Sequence, residues 1–458
     1  MGRKLVLIVI DGLSPSVFEA AVESGSAPAL AYLAEHGEYG RAVSTFPSLT
    51  PVCLATLATG VGPDVHRIPH LVWYHREERR LVEYGSSFAA MRAAGTRRTI
   101  RDAIFEMNQE HLSPRVTTIF EALEDAGLTT AAVNTACYRG RTRYRPSVPG
   151  LVPPVYGPKR FFYFGLFESD PTGAPMAVRN RAEGSVDAYA AAVGRWLVTR
   201  DGFDFLVYYL PDYDFASHAF GPDETTEALA RSDSAVEALM EAAGGRDEFL
   251  ERYAVILCAD HAQTKVERAA RLQDAFVGFS LFQVGRPGGE LAVVASNRAG
   301  MVYRLPGCRT GIRELAERLD ADESVETALF REDGDAIARR DGAELRFRQE
   351  EGAWLTSGDP AVLDYPDGLA RAWSALGNAH AGEVIVSAAP GVEFTDLAGR
   401  HHAGGGSHGS LTAGDSTVPM LTIGLDRTPE TILDVAPLAT GFFGVELPAV
   451  REPAVHAA

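Results

Sequence analysis

Acidic residues and a histidine closely follow several apolar segments of this 458-residue chain. They are Asp11 after Leu5–Ile10, Asp212 and Asp214 after Phe205–Leu210, and Asp260 and His261 after Tyr253–Cys258. Each carboxylate by itself is more typical of a helix cap or an Asx turn. In an open α/β sheet, however, ligands bind beyond the carboxyl ends of the strands, where such residues would meet. Crowded carboxylates repel each other unless cations are present, so these residues together predict a metal site with Asp and His ligands, which zinc accepts.

Two more histidines have the residue type that a metal site needs, but their positions decide little. His218 lies four residues after Asp214, which brings both side chains to one side of a helical turn and suits either a chelate or a surface ion pair. His408 lies in a glycine-rich loop between Gly404 and Gly409, where it is either solvated or a ligand contributed from far along the chain. Whether these two histidines bind a metal therefore depends on which residues lie around them in the fold.

Residues 46–60 predict a helix with a hydroxyl group at its N-terminus. Thr50 has the chemistry of an N-cap, Pro51 suits the first helical position, and Gly60 fits a C-cap. At a helix N-terminus the dipole and the free backbone N–H groups favour an anion, either an alkoxide or a phosphate. An ordinary capping threonine explains the same pattern equally well, so Thr50 is a candidate nucleophile only if a metal site lies beside it.

The elements that would position these residues are short, continuously apolar segments. They are Leu5–Ile10, Thr129–Val133, Phe205–Leu210, Tyr253–Cys258, Glu383–Ser387 and Val418–Ile423. Continuous rather than alternating apolar residues are typical of strands that are buried on both faces. Helical segments such as 119–126 and 225–243 lie between them. This alternation predicts an α/β fold, with a mainly parallel central sheet and helices on both faces.

The length of the chain suits one large α/β domain with insertions, and we predict a single catalytic domain over residues 1–458. Segments 62–114 and 138–183 are rich in Arg, aromatic residues and Pro, and we interpret them as cap insertions near the substrate pocket. Residues 265–382 are mixed in character and predict a smaller subdomain, with a hairpin within 332–352.

Composition and charge exclude several classes of protein. A hydrophobic content of 46% and a charged content of 23% are close to globular averages, which argues against a disordered or fibrous chain. The net charge of −18 opposes the approach of nucleic-acid polymers and anionic membranes. No segment approaches the roughly 18 consecutive apolar residues of a membrane helix. Four dispersed cysteines predict reduced thiols, so we expect a cytoplasmic protein, whose oligomeric state the sequence leaves open.

Five motifs resemble those of the nucleotide pyrophosphatase/phosphodiesterase branch of the alkaline phosphatase superfamily. They are Ile10-Asp11-Gly12, Phe46–Gly60, Asp214–Pro222, Ala259-Asp260-His261 and Ser407-His408-Gly409, in the order and approximate spacing of that family. The resemblance implies an alkaline phosphatase-like core, whereas the insertions are not covered by it.

The resemblance further implies a site for two Zn²⁺ ions, although other divalent metals are alternatives. Carried over by position, one ion would be held by Asp11, Thr50, Asp260 and His261, and the other by Asp214, His218 and His408. The implied reaction is attack of Thr50 on phosphorus, followed by hydrolysis of a phosphothreonine intermediate. Backbone N–H groups at the start of the Thr50 helix would stabilise the phosphoryl oxygens.

The sequence departs from the family pattern beside the implied nucleophile. Relatives of this type often carry an asparagine that hydrogen-bonds a phosphoryl oxygen, and our alignment puts Cys53, a much weaker donor, at that position. The usual Asp-His-Gly is Asp260-His261-Ala262, which is a small change. The residues that follow Thr50 lack the arginine of the sulfatases, so that branch is disfavoured. A threonine with this ligand set also fits the cofactor-independent phosphoglycerate mutases less well than it fits the phosphodiesterase branch.

The second insertion offers candidate substrate-binding residues. Arg139, Arg141, Lys159 and Arg160 could bind a distal phosphate, and Tyr163 could stack on a base, but a solvated basic loop over a buried aromatic strand explains the same residues. Residues of the first insertion either rim the pocket or pack that insertion: His66, His70, Trp73, Tyr74 and His75.

The substrate that we expect is a small phosphorylated molecule, such as a nucleotide, which is hydrolysed as a phosphodiester or pyrophosphate. A phosphomonoesterase and a phosphonate hydrolase are alternatives, because they would share every metal ligand. A catalytically idle metal-binding relative is a third alternative, for which Cys53 is the main argument.

Overall fold

The computed structural model describes residues 3–169, 185–286, 288–448 and 450. The central sheet has eight strands, in the spatial order Glu38–Val43, Thr417–Ile423, Tyr253–Cys258, Lys4–Ile10, Phe205–Leu210, Thr130–Val133, Arg160–Tyr163 and Phe167–Glu168. The five strands from Tyr253–Cys258 to Arg160–Tyr163 are parallel, and the strands at both edges pair antiparallel. The predicted α/β fold with a mainly parallel central sheet is confirmed.

The α-helices of the described residues are Pro15–Ser24, Pro28–His36, Thr50–Thr59, Pro63–His66, Phe88–Ala94, Thr96–Arg101, Ile119–Asp125, Val186–Thr199, Asp212–Phe220, Thr226–Ala243, Arg246–Arg252, Ile312–Asp320, Gly368–Gly377, Ala413–Ser416 and Val435–Phe442. A π-helix lies at Asp102–His111, and short 3-10 helices lie at Pro222–Glu224, Leu272–Phe276, Pro360–Leu363 and Ile432–Asp434. The helices predicted around 119–126 and 225–243 are present. The first begins with a capping box formed by Thr118 and Glu121, and the second ends at Gly244 in a left-handed conformation.

Burial on both faces explains why the central strands are continuously apolar. Leu5 to Ile10 are all at most 2% exposed, and this strand lies between two parallel neighbours that are equally buried. The final strand, Thr417–Ile423, has the same character but runs antiparallel, next to Tyr253–Cys258. An apolar segment therefore predicted a central strand here without predicting its direction.

A second, seven-stranded antiparallel sheet carries most of residues 291–388. Its strands, in spatial order, are Leu291–Ser296, Ala299–Arg304, Val384–Ala388, Val325–Glu332, Asp335–Arg340, Ala343–Glu350 and Ala353–Gly358. The apolar segment predicted at 383–387 belongs to this smaller sheet and not to the central one. Ile385 packs into one hydrophobic cluster, and Val384 and Val386 pack into another on the opposite face. Burial on both faces gave this strand the sequence character of a central strand.

The two predicted insertions differ in how they relate to the central sheet. Residues 62–114 leave it and form a hairpin, Val72–His75 with Arg80–Glu83, followed by helices. In the second insertion, Thr142–Tyr144 pairs with Val155–Gly157, but Arg160–Tyr163 and Phe167–Glu168 return to the central sheet. The remainder of that insertion, 170–183, lies outside the described residues.

Two further pairs of short strands connect the chain around the carboxyl edge of the central sheet. They are Thr264–Lys265 with Gly406–Ser407, and Arg268–Ala270 with Val392–Phe394. In the part of the chain that the structure describes, no helix has the length and apolar character needed to cross a membrane.

Candidate active site and metal centre

The acidic residues that follow the apolar strands meet at the carboxyl edge of the central sheet. Asp11 follows the middle one of three adjacent strands, Asp260 follows the strand on one side, and Asp214 lies in the helix that follows the strand on the other side. All three are at most 4% exposed. The adjacency of these strands therefore brings together carboxylates that are far apart along the chain, from Asp11 to Asp260.

A first cluster consists of Asp11, Asp260, His261 and Thr50. The Nε2 atom of His261 lies 3.3 Å from Oδ1 of Asp11 and 3.5 Å from Oδ2 of Asp260. The Thr50 hydroxyl oxygen lies 3.0 Å from the same Nε2. The Nδ1 atom of His261 lies 3.2 Å from the carbonyl of Ala262, to which it donates, so Nε2 keeps its lone pair and the Thr50 hydroxyl donates to it.

Thr50 is the first residue of its helix and not the cap that the sequence suggested. The N-cap is Leu49, and no side chain caps this end of the helix. Gly60 closes the helix in a left-handed conformation, as expected. The hydroxyl of Thr50 is thus not used for capping and is free to contact His261.

The backbone N–H groups at this helix end are mostly used within the chain. Val52 and Cys53 both donate to the carbonyl of Leu49, and Pro51 has no N–H group. We expected several N–H groups at the helix start to face a phosphoryl oxygen. Of these, only the N–H of Thr50 is still available for that contact.

A second cluster consists of Asp214, His218 and His408. Oδ2 of Asp214 lies 3.4 Å from Nε2 of His218, and Oδ1 lies 4.0 Å from Nε2 of His408. The ring of His408 stacks on the ring of His261 with centroids 3.7 Å apart, so the two clusters share a boundary. The helix Asp212–Phe220 sets the spacing of Asp214 and His218, as the four-residue interval predicted.

Backbone carbonyls fix the tautomers of the two histidines in this cluster. Nδ1 of His218 donates to Gly406 over 2.9 Å, and Nδ1 of His408 donates to Ser48 over 2.7 Å. Each Nε2 therefore carries the lone pair and faces Asp214, which is the arrangement of a histidine that binds a metal. Burial, reinforced by His261 and His218, holds the pKa of His408 well below its usual value, so this imidazole is neutral.

The donor set fits divalent cations. Oδ1 of Asp11 and Oδ2 of Asp260 are buried and find no hydrogen-bond donor within the described residues. Burial, together with the charges of Asp214 and Asp260, raises the pKa of Asp11 well above its usual value, and burial also raises the pKa of Asp260. Carboxylate oxygens without donors, next to imidazole lone pairs, are the environment that a bound cation would stabilise.

Two side chains that the sequence did not indicate hold these ligands in place. The hydroxyl of Tyr209 donates to Asp11, and the amide nitrogen of Gln263 donates to the backbone carbonyl of Asp214 over 3.3 Å. Gln263 lies two positions after His261, and Tyr209 lies in a predicted strand five positions before Asp214; this proximity is the only signal that could have indicated them. Asp212, in contrast, does not join the clusters, because it accepts hydrogen bonds from Ser185 and the backbone of Val186.

Both clusters open into one cavity of about 670 Å³. Besides metal-ligand candidates, the wall includes the aromatic residues Tyr84, Tyr163 and Phe215, and also Asn297 and His402. Among the described residues, neither Lys nor Arg lines this cavity. Asn297 and His402 are lining residues that the sequence analysis missed, because they come from the smaller sheet and from the loop before His408.

Of the six predicted substrate-binding residues, only Tyr163 lines the cavity. Cys53 is fully buried, with its sulfur 3.3 Å from the hydroxyl of Ser44, and it does not face the cavity. Lys159 and Arg160 lie at the start of a parallel strand, which is the edge of the sheet opposite to the site. Their positions correct the expectation that they bind a distal phosphate of the substrate.

The two other predicted arginines are occupied by structural contacts away from the cavity. The guanidinium group of Arg139 donates to the carbonyls of Leu112, Ser113 and Val116. Arg141 forms ion pairs with Glu121 and Asp125, both at 2.7 Å. The carbonyls satisfy the donors of Arg139, and the carboxylates neutralise Arg141. Neither guanidinium group is therefore free to bind a distal phosphate.

The five aromatic and histidine residues that the sequence singled out in the first insertion, unlike Tyr84, pack outside the candidate site. Trp73 and His75 line a separate cavity of about 750 Å³, in which His380 stacks on Trp73 at 4.7 Å. An acidic group beside it, Asp102 and Glu106, is paired with Arg80 and other arginines. His66, His70 and Tyr74 are buried.

Comparisons with known proteins agree with this architecture. Residues 5–411 match the family model of type I phosphodiesterase / nucleotide pyrophosphatase. No curated protein matches the chain by sequence.

Three solved structures resemble the chain in their fold. Phosphonoacetate hydrolase from Sinorhizobium meliloti 1021, in complex with phosphonoformate, has a TM-score of 0.60 and 17% identity over 96% of this chain and 95% of its own. Murine ectonucleotide pyrophosphatase / phosphodiesterase 5 has a TM-score of 0.62 and 13% identity over 98% of both chains. An inactive form of the murine protein in complex with AMP has a TM-score of 0.61 and 12% identity over 99% of this chain and 98% of its own.

Proposed function

Because this chain belongs to the type I phosphodiesterase / nucleotide pyrophosphatase family, we propose that it is a metal-dependent hydrolase of phosphate esters with Thr50 as its nucleophile. The observation that carries the proposal is the clustering of the seven predicted ligands, five of which line one cavity, with the Thr50 hydroxyl 3.0 Å from Nε2 of His261. A threonine at a helix N-terminus without these ligands around it would not act as a nucleophile.

The residues present suit two zinc ions. Asp11, Asp260, His261 and the Thr50 oxygen would hold one ion, and Asp214, His218 and His408 would hold the other. Three protein ligands around the second ion leave a position for water or substrate. When bound, such ions lower the pKa of the attacking hydroxyl and neutralise charge on the leaving oxygen.

The chain's own residues account for the remaining steps. Thr50 Oγ1 gives up its proton to solvent and forms the new bond to phosphorus, while the bond from phosphorus to the leaving oxygen breaks; the leaving oxygen takes up a proton from solvent, and a phosphothreonine ester results. Water then attacks the same phosphorus, and the bond from phosphorus to Thr50 Oγ1 breaks. One proton of the water restores the hydroxyl of Thr50, and the remaining hydroxyl leaves with the phosphate product. Pro51 and the buried helix behind Thr50 hold its oxygen at a fixed place, which reduces the cost of orientation.

We propose a phosphodiester or pyrophosphate as the substrate class, with an uncharged or aromatic group, such as a nucleoside, beyond the reacting phosphate. The aromatic side chains Tyr84, Tyr163 and Phe215 in the cavity wall support it, since they can stack on a base or an aryl group. Phosphomonoester and phosphonate hydrolysis use the same ligands and stay as alternatives. The four cysteines are free, three of them buried, which agrees with a proposed cytoplasmic location.

The test is steady-state kinetics of zinc-loaded protein on matched aryl phosphomonoester, phosphodiester, phosphonate and sulfate substrates. We expect the highest kcat/KM on the diester, and a loss of about 10³-fold or more in Thr50→Ala. A monoester or phosphonate preference would replace the substrate class and keep the site. Equal inactivity of wild type and Thr50→Ala on every substrate would instead support an idle metal-binding protein.

A further inference from the structure

We propose that Asn297, on the smaller sheet, is the side chain that hydrogen-bonds a phosphoryl oxygen of the substrate. The inference rests on the proposed function and names a catalytic residue for it. Asn297 follows the strand Leu291–Ser296 and lies in the two-residue connection to Ala299–Arg304. It lines the same cavity as Thr50 and Asp214.

Phosphoryl transfer at Thr50 needs more donors than the N–H of Thr50, which is the one donor that the start of this helix leaves available. Charge develops on the equatorial oxygens of the phosphoryl group, and it must be met by donors aimed at those oxygens. The thiol of Cys53 is buried against Ser44, and the N–H groups of Val52 and Cys53 already donate to Leu49. A donor from another part of the chain is therefore required.

The amide of Asn297 lies beside a predicted metal ligand at the cavity wall. Its Nδ2 is 2.8 Å from Nε2 of His408, and the residue is 6% exposed. Because Nδ1 of His408 donates to Ser48, its Nε2 can only accept, so the group that faces it must be the N–H₂ end of the amide. The orientation of the Asn297 amide is thus determined by the chemistry of its neighbour.

The contact between Asn297 and His408 uses an atom that a metal would need. The lone pair on Nε2 of His408 can accept a hydrogen bond or bind a cation, but it cannot do both. Occupancy of the cluster by a cation therefore releases the amide N–H of Asn297, which is buried at the cavity wall. A buried donor without an acceptor is costly, and a phosphoryl oxygen in the cavity would satisfy it.

The backbone around Asn297 is held firmly enough for such a role. The N–H of Arg298 donates to the carbonyl of His408 over 2.8 Å, and the Arg298 guanidinium forms a buried ion pair with Asp415 at 2.7 Å. The carbonyl of Asn297 accepts from Phe394 over 2.6 Å. Asn297 itself has a φ of 56°, in the left-handed region that asparagine tolerates better than most residues. The donor is therefore pre-positioned next to His408.

The test uses variants that keep the left-handed backbone. Asn297→Gly removes the amide, and Asn297→Asp keeps its shape but replaces the donor with an acceptor. In zinc-loaded protein we expect kcat on an aryl phosphodiester to fall by about 10²- to 10³-fold in both, with a smaller change in KM. Inhibition by orthovanadate, which imitates the five-coordinate phosphorus, should weaken by at least about tenfold, since it loses the same donor. Zinc affinity of Asn297→Gly, measured by competition with a chromogenic chelator, should be equal to or tighter than that of wild type.

The matched control is Asp341→Gly, which makes the same kind of change in another hairpin of the smaller sheet. Asp341 has a φ of 51° and lies between Asp335–Arg340 and Ala343–Glu350, outside the cavity lining. It should leave kcat, vanadate inhibition and zinc affinity unchanged. Full activity and full vanadate inhibition in Asn297→Gly would overturn the inference while leaving the proposed function intact. A loss of zinc binding in that variant would also overturn it, because Asn297 would then act through the metal site, and an inactive wild type would overturn both proposals.

Discussion

At the scale of single residues, the site depends on which nitrogen of each histidine keeps its lone pair. His218, His261 and His408 each donate from Nδ1 to a backbone carbonyl, so that their Nε2 atoms face the carboxylates. The acceptors are main-chain atoms, which every residue type supplies. Residue types together with the family resemblance therefore predicted the ligands, whereas the folded chain selects the tautomer that metal binding would need.

The hydroxyl of Tyr209 tests most directly whether a neighbouring side chain supports the predicted metal ligand Asp11. This hydroxyl donates to Asp11, and Tyr209→Phe would keep the buried ring while leaving that carboxylate oxygen without its donor. We expect zinc affinity to fall by about 10- to 100-fold, as for the loss of other supporting hydrogen bonds around metal ligands. Competition with a chelator of known affinity measures the change.

Tyr208→Phe is the control for this prediction, because the neighbouring hydroxyl donates to the carbonyl of Ala235 at 3.1 Å, away from the cavity. It should leave zinc affinity unchanged. Equal zinc affinity in wild type and Tyr209→Phe would show that Asp11 does not need this donor.

At the scale of elements, one hairpin and one loop are tied together beneath the site. The connection between Leu291–Ser296 and Ala299–Arg304 carries Arg298, whose guanidinium is 1% exposed and pairs with the fully buried Asp415. Asp415 also accepts from the backbone of Ser410 and the hydroxyl of Thr264. The loop that carries His408 is thus fixed against the smaller sheet through Arg298 and against the short strand Thr264–Lys265 through Asp415.

Breaking this ion pair should cost much more stability than breaking an exposed one. Arg298→Ala leaves a buried carboxylate without its cation, and we expect the free energy of unfolding to fall by about 3–5 kcal/mol. Arg348, which pairs with Glu350 at 2.8 Å while both side chains are about half exposed, is the matched control, and Arg348→Ala should cost less than about 1 kcal/mol. Urea unfolding of the two variants gives the comparison, and similar losses would contradict the structural role of Arg298.

At the scale of the whole molecule, the site lies where the two sheets approach each other. The central sheet positions Asp11, Asp214 and Asp260, and the smaller sheet positions Asn297. Three buried carboxylates concentrate negative charge in a chain whose net charge is already −18. Bound cations would relieve this repulsion, so occupancy of the site should be coupled to the stability of the whole fold.

Removal of metal should therefore lower both activity and melting temperature. After chelation, we expect Tm to fall and zinc to restore it together with activity, with a stabilisation of about 2.7 kcal/mol at a hundredfold excess over Kd. His408→Ala should reduce this zinc-dependent shift, whereas His36→Ala, in a residue on the outer surface, should not. Differential scanning fluorimetry measures the Tm shift of both variants. A Tm of the wild-type protein that neither chelator nor zinc changes would exclude the two-metal site.

The sequence by itself determined which residues are candidates and which class of fold holds them. Asp11, Asp214 and Asp260 were recognisable because continuously apolar strands precede them, and burial on both faces leaves that mark in any sequence. The spacing of Asp214 and His218 was recognisable because a helix sets it locally. These features depend on interactions between near neighbours in the chain, and such interactions are visible in sequence patterns.

Only the tertiary structure decided which of these candidates share a cavity. Arg139 and Cys53 have the residue types or positions of substrate-binding groups, yet their partners lie elsewhere, whereas Asn297 carries no sequence signal and lies 2.8 Å from His408. The placement of Asn297 depends on how the smaller sheet packs next to the central one. Contacts between residues more than a hundred positions apart leave no periodicity in the sequence, so the donor for the phosphoryl group was visible only in the folded chain.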